Sequence, residues 1–209
     1  MKAPLLKSAW TKCLFAAFVF CFAWPSHAAD LLAQVRACLV MAPVMQGEFL
    51  QTRQLAQIKK PLVSTGRFLV AKNTGVIWEN LAPIAQTMRL TRNEILQTDG
   101  GGTVVRLSTD KEPIADIING ILFGVLLGEF EALAQSFDHD GKVENGKWLL
   151  DFTPRDASLA RLIQTLSLTG ARDIEQVEIR SAAGDLTRIE FKAQTHAEEI
   201  SPEIRKRFE

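Results

Sequence analysis

Met45-Gln46-Gly47-Glu48-Phe49-Leu50-Gln51-Thr52-Arg53 and Ser64-Thr65-Gly66-Arg67-Phe68-Leu69-Val70-Ala71-Lys72 decide the fold class. Both stretches read with a period of two, and Lys59-Lys60-Pro61 supplies the turn between them. They are the two long strands of a hairpin, and the same rhythm extends outward from them. Val76-Ile77-Trp78-Glu79 is a third strand, ended by Asn80-Leu81-Ala82-Pro83. Residues 85–90, 94–97 and 103–107 continue a meander, with Asp99-Gly100-Gly101-Gly102 separating the last two. Toward the C-terminus, residues 132–138, 147–152, 163–168, 174–180 and 186–192 read as strands. Turns fall at Asp140-Gly141, Asn145-Gly146 and Ala183-Gly184-Asp185, pairs suited to positive φ. In the last two strands Val177, Ile179, Ile189 and Phe191 share one face, while Gln176, Glu178, Arg188, Glu190 and Lys192 share the other. One face is therefore buried and one is wet. An open antiparallel sheet of about eleven strands tends to curl.

Three segments break the β rhythm. Asp30 reads as the N-cap of a helix whose apolar stripe, Leu31, Val35, Cys38, Leu39 and Ala42, runs until Pro43 stops it. Ser201-Pro202 opens a short terminal helix through Ile204 and Phe208. Between the two groups of strands lies Pro113-Ile114-Ala115-Asp116-Ile117-Ile118-Asn119-Gly120-Ile121-Leu122-Phe123-Gly124-Val125-Leu126-Leu127, with Pro113 suited to a first helical position. Its apolar residues cover nearly all faces, so a helix here must be covered on more than one side. Gly120, Gly124 and Gly128 each lower its intrinsic stability by up to about 1 kcal/mol relative to alanine. A loosely stable, highly apolar helix suits a movable lid over the concave side of the sheet; the plainer alternative is a buried core helix. If the lid moves aside, the concavity becomes a dry pocket for an apolar ligand. The expected fold is α+β and mostly β, a strongly curved antiparallel half-barrel of about eleven strands with a helical lid.

The chain has 209 residues, 47% of them hydrophobic, with 24 Lys and Arg against 24 Asp and Glu. That is one globular domain without the positive footprint that binding to nucleic acid requires. The N-terminus stands apart: Lys2, Lys7 and Lys12 precede an uncharged run over residues 14–24 and then Pro25-Ser26-His27-Ala28-Ala29-Asp30. This is the pattern of a secretory signal peptide, too short to span a bilayer, with cleavage expected after Ala28 or, alternatively, after Ala29. Phe20 before Cys21 argues against a lipid-modified cysteine. Residues 29–209 are then a soluble, exported, single domain and an expected monomer. Without residues 1–28 the chain carries 21 basic against 24 acidic side chains, net −3, and keeps Cys38 alone of its three cysteines. No intramolecular disulfide can form, so stability must come from core burial, and Cys38 on its apolar stripe reads as a small buried hydrophobe.

Catalytic signals are weak. Asp138-His139-Asp140-Gly141 has no second His or Cys at ligand spacing, and His196-Ala197-Glu198-Glu199 has no partner His for a zinc-protease helix. Gly100-Gly101-Gly102-Thr103 is followed by no Lys-Ser/Thr pair, and no Gly-x-Ser-x-Gly elbow occurs. No catalytic residue, metal ligand or cofactor is assigned, and an exported binding protein is favoured over an enzyme.

The order of motifs resembles a known family. A helix, then Phe49-Leu50-Gln51, Gly66-Arg67-Phe68-Leu69-Val70, Trp78 and Pro83 looks like the start of the LolA outer-membrane lipoprotein carriers. Leu150-Asp151-Phe152-Thr153-Pro154 resembles that family's Leu-Thr-Pro strand end, and the last strand pair resembles its closing hairpin. The resemblance implies a periplasmic carrier whose half-barrel shields the acyl chains of a lipoprotein or other lipid. It further implies an inner-membrane ABC transporter as donor and an outer-membrane acceptor. The expected cavity residues are Phe49, Phe68, Val70, Trp78, Met88 and Leu90, with Ile114, Ile117, Ile118, Ile121, Leu122 and Val125 on the lid. Two departures mark a divergent branch. Lys72-Asn73 stands where the family has an Arg-Pro pair whose arginine holds the lid, which makes Lys72 the candidate latch without the planar fork of arginine. The family's Asp-Gly-x-x-Leu-Trp strand is replaced by Leu90-Thr91-Arg92-Asn93-Glu94-Ile95-Leu96, so the cargo need not be a lipoprotein and another lipid or a polyketide-like molecule fits as well. The alternatives are a lipoprotein-sensing regulator on the same fold, binding a membrane-anchored signalling partner, and an enzyme acting on a hydrophobic intermediate.

Overall fold

The computed structural model describes the backbone of residues 27–102, 104–108 and 113–208, and side chains over 31–102, 104–108 and 119–208. Residues 1–26 of the expected signal peptide lie outside the described residues. Helix α1 (His27–Cys38) leads into β1 (Val44–Gln54), β2 (Leu62–Ala71), β3 (Gly75–Ala82), β4 (Gln86–Leu90), β5 (Glu94–Asp99) and β6 (Val104–Ser108). Helices α2 (Pro113–Leu126) and α3 (Phe130–Ser136) connect to β7 (Phe137–Glu144) and β8 (Lys147–Pro154). Then come α4 (Ala157–Ala160), β9 (Ile163–Gly170), β10 (Ile174–Ser181), β11 (Leu186–Ala197) and α5 (Pro202–Lys206).

All eleven strands form one curved antiparallel sheet in the order β6-β5-β4-β3-β2-β1-β11-β10-β9-β8-β7. Two meanders are thus joined by the pairing of β1 with β11, and β6 and β7 are the open edges. The register explains which face is buried. Phe68 lies opposite Trp78, Trp78 opposite Met88, Val70 opposite Val76, Val76 opposite Leu90, and Phe49 opposite Phe191. Directly opposed residues share a face, so these rows make one continuous apolar wall. Asn145 and Gly146 turn β7 into β8 with φ of 53° and 73°, as the Asn-Gly pair predicts.

β2 departs from simple alternation because it is covered twice. Phe68, Leu69, Val70 and Ala71 are all buried. Phe68 and Val70 face the main core, whereas Leu69 joins Val44 and Ile77 in a second cluster beneath Ile200, Ile204 and Phe208 around α5. Ser201 caps α5 by accepting the Ile204 N–H, and Arg207 pairs with Glu79 on β3 at 2.7 Å. The helix ends at Lys206, so Phe208 packs from the turn beyond it rather than from the helix.

Five local expectations are corrected. Residues 132–138 are not a strand: Phe130, Leu133 and Phe137 recur at helical spacing, and α3 occupies most of that segment before β7 begins at Phe137. Asp140-Gly141 is not a turn but the middle of β7, where a Cβ on Gly141 would overlap the Leu149 carbonyl oxygen. β3 does not end at Asn80 but runs to Ala82. Asp30 lies inside α1 (His27–Cys38), and the helix ends at Cys38, well before Pro43. The single turn α4 was not foreseen, although Asp156 caps it by accepting from the N–H groups of Ser158 and Leu159. Cys38 is half-buried at the margin of the core, its thiol donating to the Gln34 carbonyl.

Candidate functional site

The concave face gathers its large side chains from four adjacent strands. Phe49 on β1, Phe68 and Val70 on β2, Trp78 on β3 and Leu90 on β4 are buried in one cluster, with Met88 partly buried against it. The Phe49 and Trp78 rings stack with centroids 3.9 Å apart. Phe68 and Trp78 both meet Phe191 of β11 edge to face, at 5.1 Å and 6.1 Å. Glycines make this packing possible. Gly66 lies opposite Phe49 and Gly47 opposite Phe68 in the β1–β2 register, so each ring spreads over a neighbour without a side chain. A methyl group on Gly66 would overlap the Glu79 carbonyl oxygen and come within 2.5 Å of the Phe49 ring.

α2 closes this wall from above. Ile121 and Val125 are buried in the same cluster as the strand residues, and Leu122 packs against it half-buried. Ile114, Ile117 and Ile118 belong to the stretch of α2 whose side chains lie outside the described residues. The expectation of cover on several sides holds for the second half of α2, where Phe123 and Leu126 are buried as well. The glycines divide the labour: Gly124 faces Leu133 of α3, where a Cβ would sit 2.7 Å from the leucine, and Gly128 at φ 65° lies just past the end of the helix. Gly124 permits close helix packing and Gly128 provides the left-handed residue at which helices commonly stop.

Among the described residues, few polar contacts hold the lid down. Asn119, the one buried polar residue among those described, donates from Nδ2 to the backbone carbonyls of Thr91 at 2.8 Å and Arg92 at 3.2 Å, in the turn between β4 and β5. Arg92 reaches back to Glu129, between α2 and α3, at 3.2 Å, and its guanidinium lies over the Phe123 ring at 5.6 Å. Arg36 of α1 grips both carboxylate oxygens of Glu131 on α3 at 3.0 and 3.1 Å. Lys72 is exposed in the β2–β3 turn. It borders a cleft of ≈ 40 Å³ shared with Met41, Leu127, Gly128 and Asp173, and its backbone N–H donates to Pro43. Among the described residues the polar ties between lid and sheet run through Asn119 and Arg92. Sequence reasoning missed both. A lone amide inside the apolar run 113–127 was the available signal for Asn119, since an amide there must find partners in the fold.

Among the described residues no group of three or more His, Cys, Asp or Glu is placed to hold a metal ion, and no helix is long and apolar enough to cross a membrane. His196 lies 2.9 Å from Asp173, a pair with no third ligand among the described residues.

A sequence profile for proteins described as outer membrane lipoprotein carrier protein LolA-like matches residues 24–206. The chain belongs to this LolA-like family. Comparison with curated proteins finds no match. Among solved structures, the LolA-like chain is similar to a LolA superfamily protein, NE2245 from Nitrosomonas europaea, at 11% identity and a TM-score of 0.45, covering 85% of this chain and 96% of that one. A putative outer membrane lipoprotein-sorting protein domain from Vibrio parahaemolyticus is similar at 9% identity and 0.47, over 87% and 97%. MucB in its Pseudomonas aeruginosa complex with MucA is similar at 17% identity and 0.47, over 86% of this chain and 60% of that one.

Proposed function

We propose that this chain is a non-enzymatic periplasmic carrier, exported by residues 1–28. It shields the acyl chains of a lipoprotein or another lipid between the inner and outer membranes. The observation that carries the reading is the aromatic and aliphatic wall from Phe49 to Leu90, roofed by an apolar helix with few polar ties among the described residues. Each acyl CH₂ left in water costs about 0.8 kcal/mol, so a chain of ordinary length must be covered while it crosses an aqueous space. α2 matches that need chemically. When it swings away, the cluster that Phe49, Phe68, Val70, Trp78, Met88 and Leu90 share with Ile121, Leu122 and Val125 opens, and cargo takes the place of the helix, so apolar area stays buried in both states. Asn119 and Arg92 act as a latch, and Lys72, the candidate from the family comparison of motifs, borders the cleft at the end of the lid beside Leu127 and Gly128. Membership of the LolA-like family supports the carrier class and the periplasmic location, and the inner-membrane transporter and outer-membrane acceptor belong to the same reading.

The test is organic extraction and mass spectrometry of the chain purified from the cell envelope. An acyl-chain ligand is expected, as is binding of a fluorescent fatty acid that the native ligand displaces. Protein that is reproducibly empty and leaves the probe in water would refute the proposal. Copurification of a membrane-anchored signalling protein in place of lipid would point instead to a regulator on this scaffold.

A further inference from the structure

Among the described residues nine large apolar side chains are exposed, and six of them gather in one region. Ile58, Leu62, Val63, Leu81 and Val104 are each about half exposed, and Ile84 is exposed to 73%. All six lie at one end of the sheet, where β1 turns into β2, β3 into β4 and β5 into β6. Leu62 and Val63 pair with Arg53 and Thr52 at the end of β1; Ala82 pairs with Thr65, Gln86 with Asp99, and Val104 with Thr98. The turn at Thr91–Arg92, where α2 is tied down, is at the opposite end of the same strands. Single exposed aliphatic side chains are ordinary, whereas a contiguous set marks an interaction surface.

Shape and charge choose the partner. The residues are aliphatic, they sit on strand ends and connecting turns, and Lys59 and Lys60 stand exposed in the same β1–β2 connection, between Ile58 and Leu62. Three carboxylates at this end accept backbone N–H groups and keep their charge, Asp99 from Gly101 at 2.9 Å, Asp185 from Ala56 at 3.0 Å and Asp156 from Ser158 at 2.7 Å, so the positive charge is local to the Lys59-Lys60 connection. Arg53, also exposed, adds positive charge on β1. Aliphatic tips flanked by lysines match a fluid apolar layer under a negatively charged surface. We propose that this rim is a peripheral docking surface for an anionic lipid bilayer. The aliphatic tips enter the headgroup boundary, and Lys59 and Lys60 lie among the phosphates. The inference goes beyond the carrier reading, because it concerns the sheet's outer end and stands whether or not the concavity takes cargo.

The test is flotation of the chain with vesicles of phosphatidylcholine containing 30% phosphatidylglycerol, against phosphatidylcholine alone, at low and at high salt. Binding to the anionic vesicles that weakens at high salt is expected. Lys59→Gln with Lys60→Gln should weaken it about thirtyfold, and Ile84→Asp by at least about tenfold. Both variants change exposed positions, and an unaltered thermal midpoint checks their folding. Loss of fluorescent fatty acid binding with flotation intact would count against the carrier alone. No flotation with the anionic vesicles overturns the docking surface. So does flotation that the substitutions leave unchanged, which would assign it to residues 1–28. A dimer in light scattering that Ile84→Asp dissociates, without vesicle binding, overturns it in favour of a contact between copies.

Discussion

Replacing Asn119 with alanine tests the latch. The substitution removes two hydrogen bonds, to the Thr91 carbonyl at 2.8 Å and the Arg92 carbonyl at 3.2 Å, at a residue only 4% exposed. A neutral hydrogen bond contributes about 0.5–1.5 kcal/mol net, so the pair amounts to about 2 kcal/mol. If those bonds exist only while α2 lies on the β4–β5 turn, the open population rises by about thirtyfold. While the open state remains the minor one, apparent affinity for an acyl probe rises by the same factor, because a binding-competent state that is rarely populated dilutes intrinsic affinity. The assay is titration with a fluorescent fatty acid, with hydrogen exchange of the α2 amides measured in parallel. Asn119→Asp sharpens it. An ionised carboxylate has no donor for the two carbonyls and weakens the lid further, whereas its protonated form recovers one donor, so the gain in probe affinity should shrink at low pH. Unchanged probe affinity, with α2 exchanging only as fast as the whole chain unfolds, would refute the reasoning and make Asn119 an ordinary core amide.

Two further outcomes follow from the packing and the caps. Gly66→Ala should destabilise the fold by about 3 kcal/mol or more, because the added methyl overlaps the Glu79 carbonyl and presses on the Phe49 ring within the sheet; chemical denaturation measures it. The Ser158 hydroxyl and the N–H groups of Ser158 and Leu159 hold the Asp156 carboxyl below the ordinary aspartate range. A depressed folded-state pKa stabilises above the ordinary value and is lost as pH falls through the folded one. The stability difference between the native chain and Asp156→Asn should therefore shrink on acidification through that window, and a constant difference would exclude the cap as its source.

Strands were legible because a two-residue period survives in any sequence that must bury one face of a sheet. The pairs Phe68 with Trp78 and Phe49 with Phe191 could not be read, since register depends on how many residues each connection consumes. α3 was misread because the seven residues from Ala132 to Asp138 are too short to separate periods of two and 3.6 without knowing that Phe130 belongs to the set. Asp140-Gly141 has turn chemistry but serves the close approach of β7 to Leu149, a need that arises only when the partner strand is in place.

Membership of the cavity wall shows the same division. The sequence alone determined that Phe49, Phe68, Trp78 and Leu90 would be apolar strand residues and that 113–127 would be a helix needing cover, because hydrophobicity and period are local properties. Which described residues come within hydrogen-bonding reach between that helix and the sheet is decided only by the fold. Lys72 was chosen by counting along the chain, whereas the hydrogen bonds from α2 to the β4–β5 turn start from Asn119, and Arg92 of that turn reaches Glu129. A buried amide needs carbonyls within about 3 Å, and only the curl of the sheet carries the β4–β5 turn to the place where Asn119 can reach it.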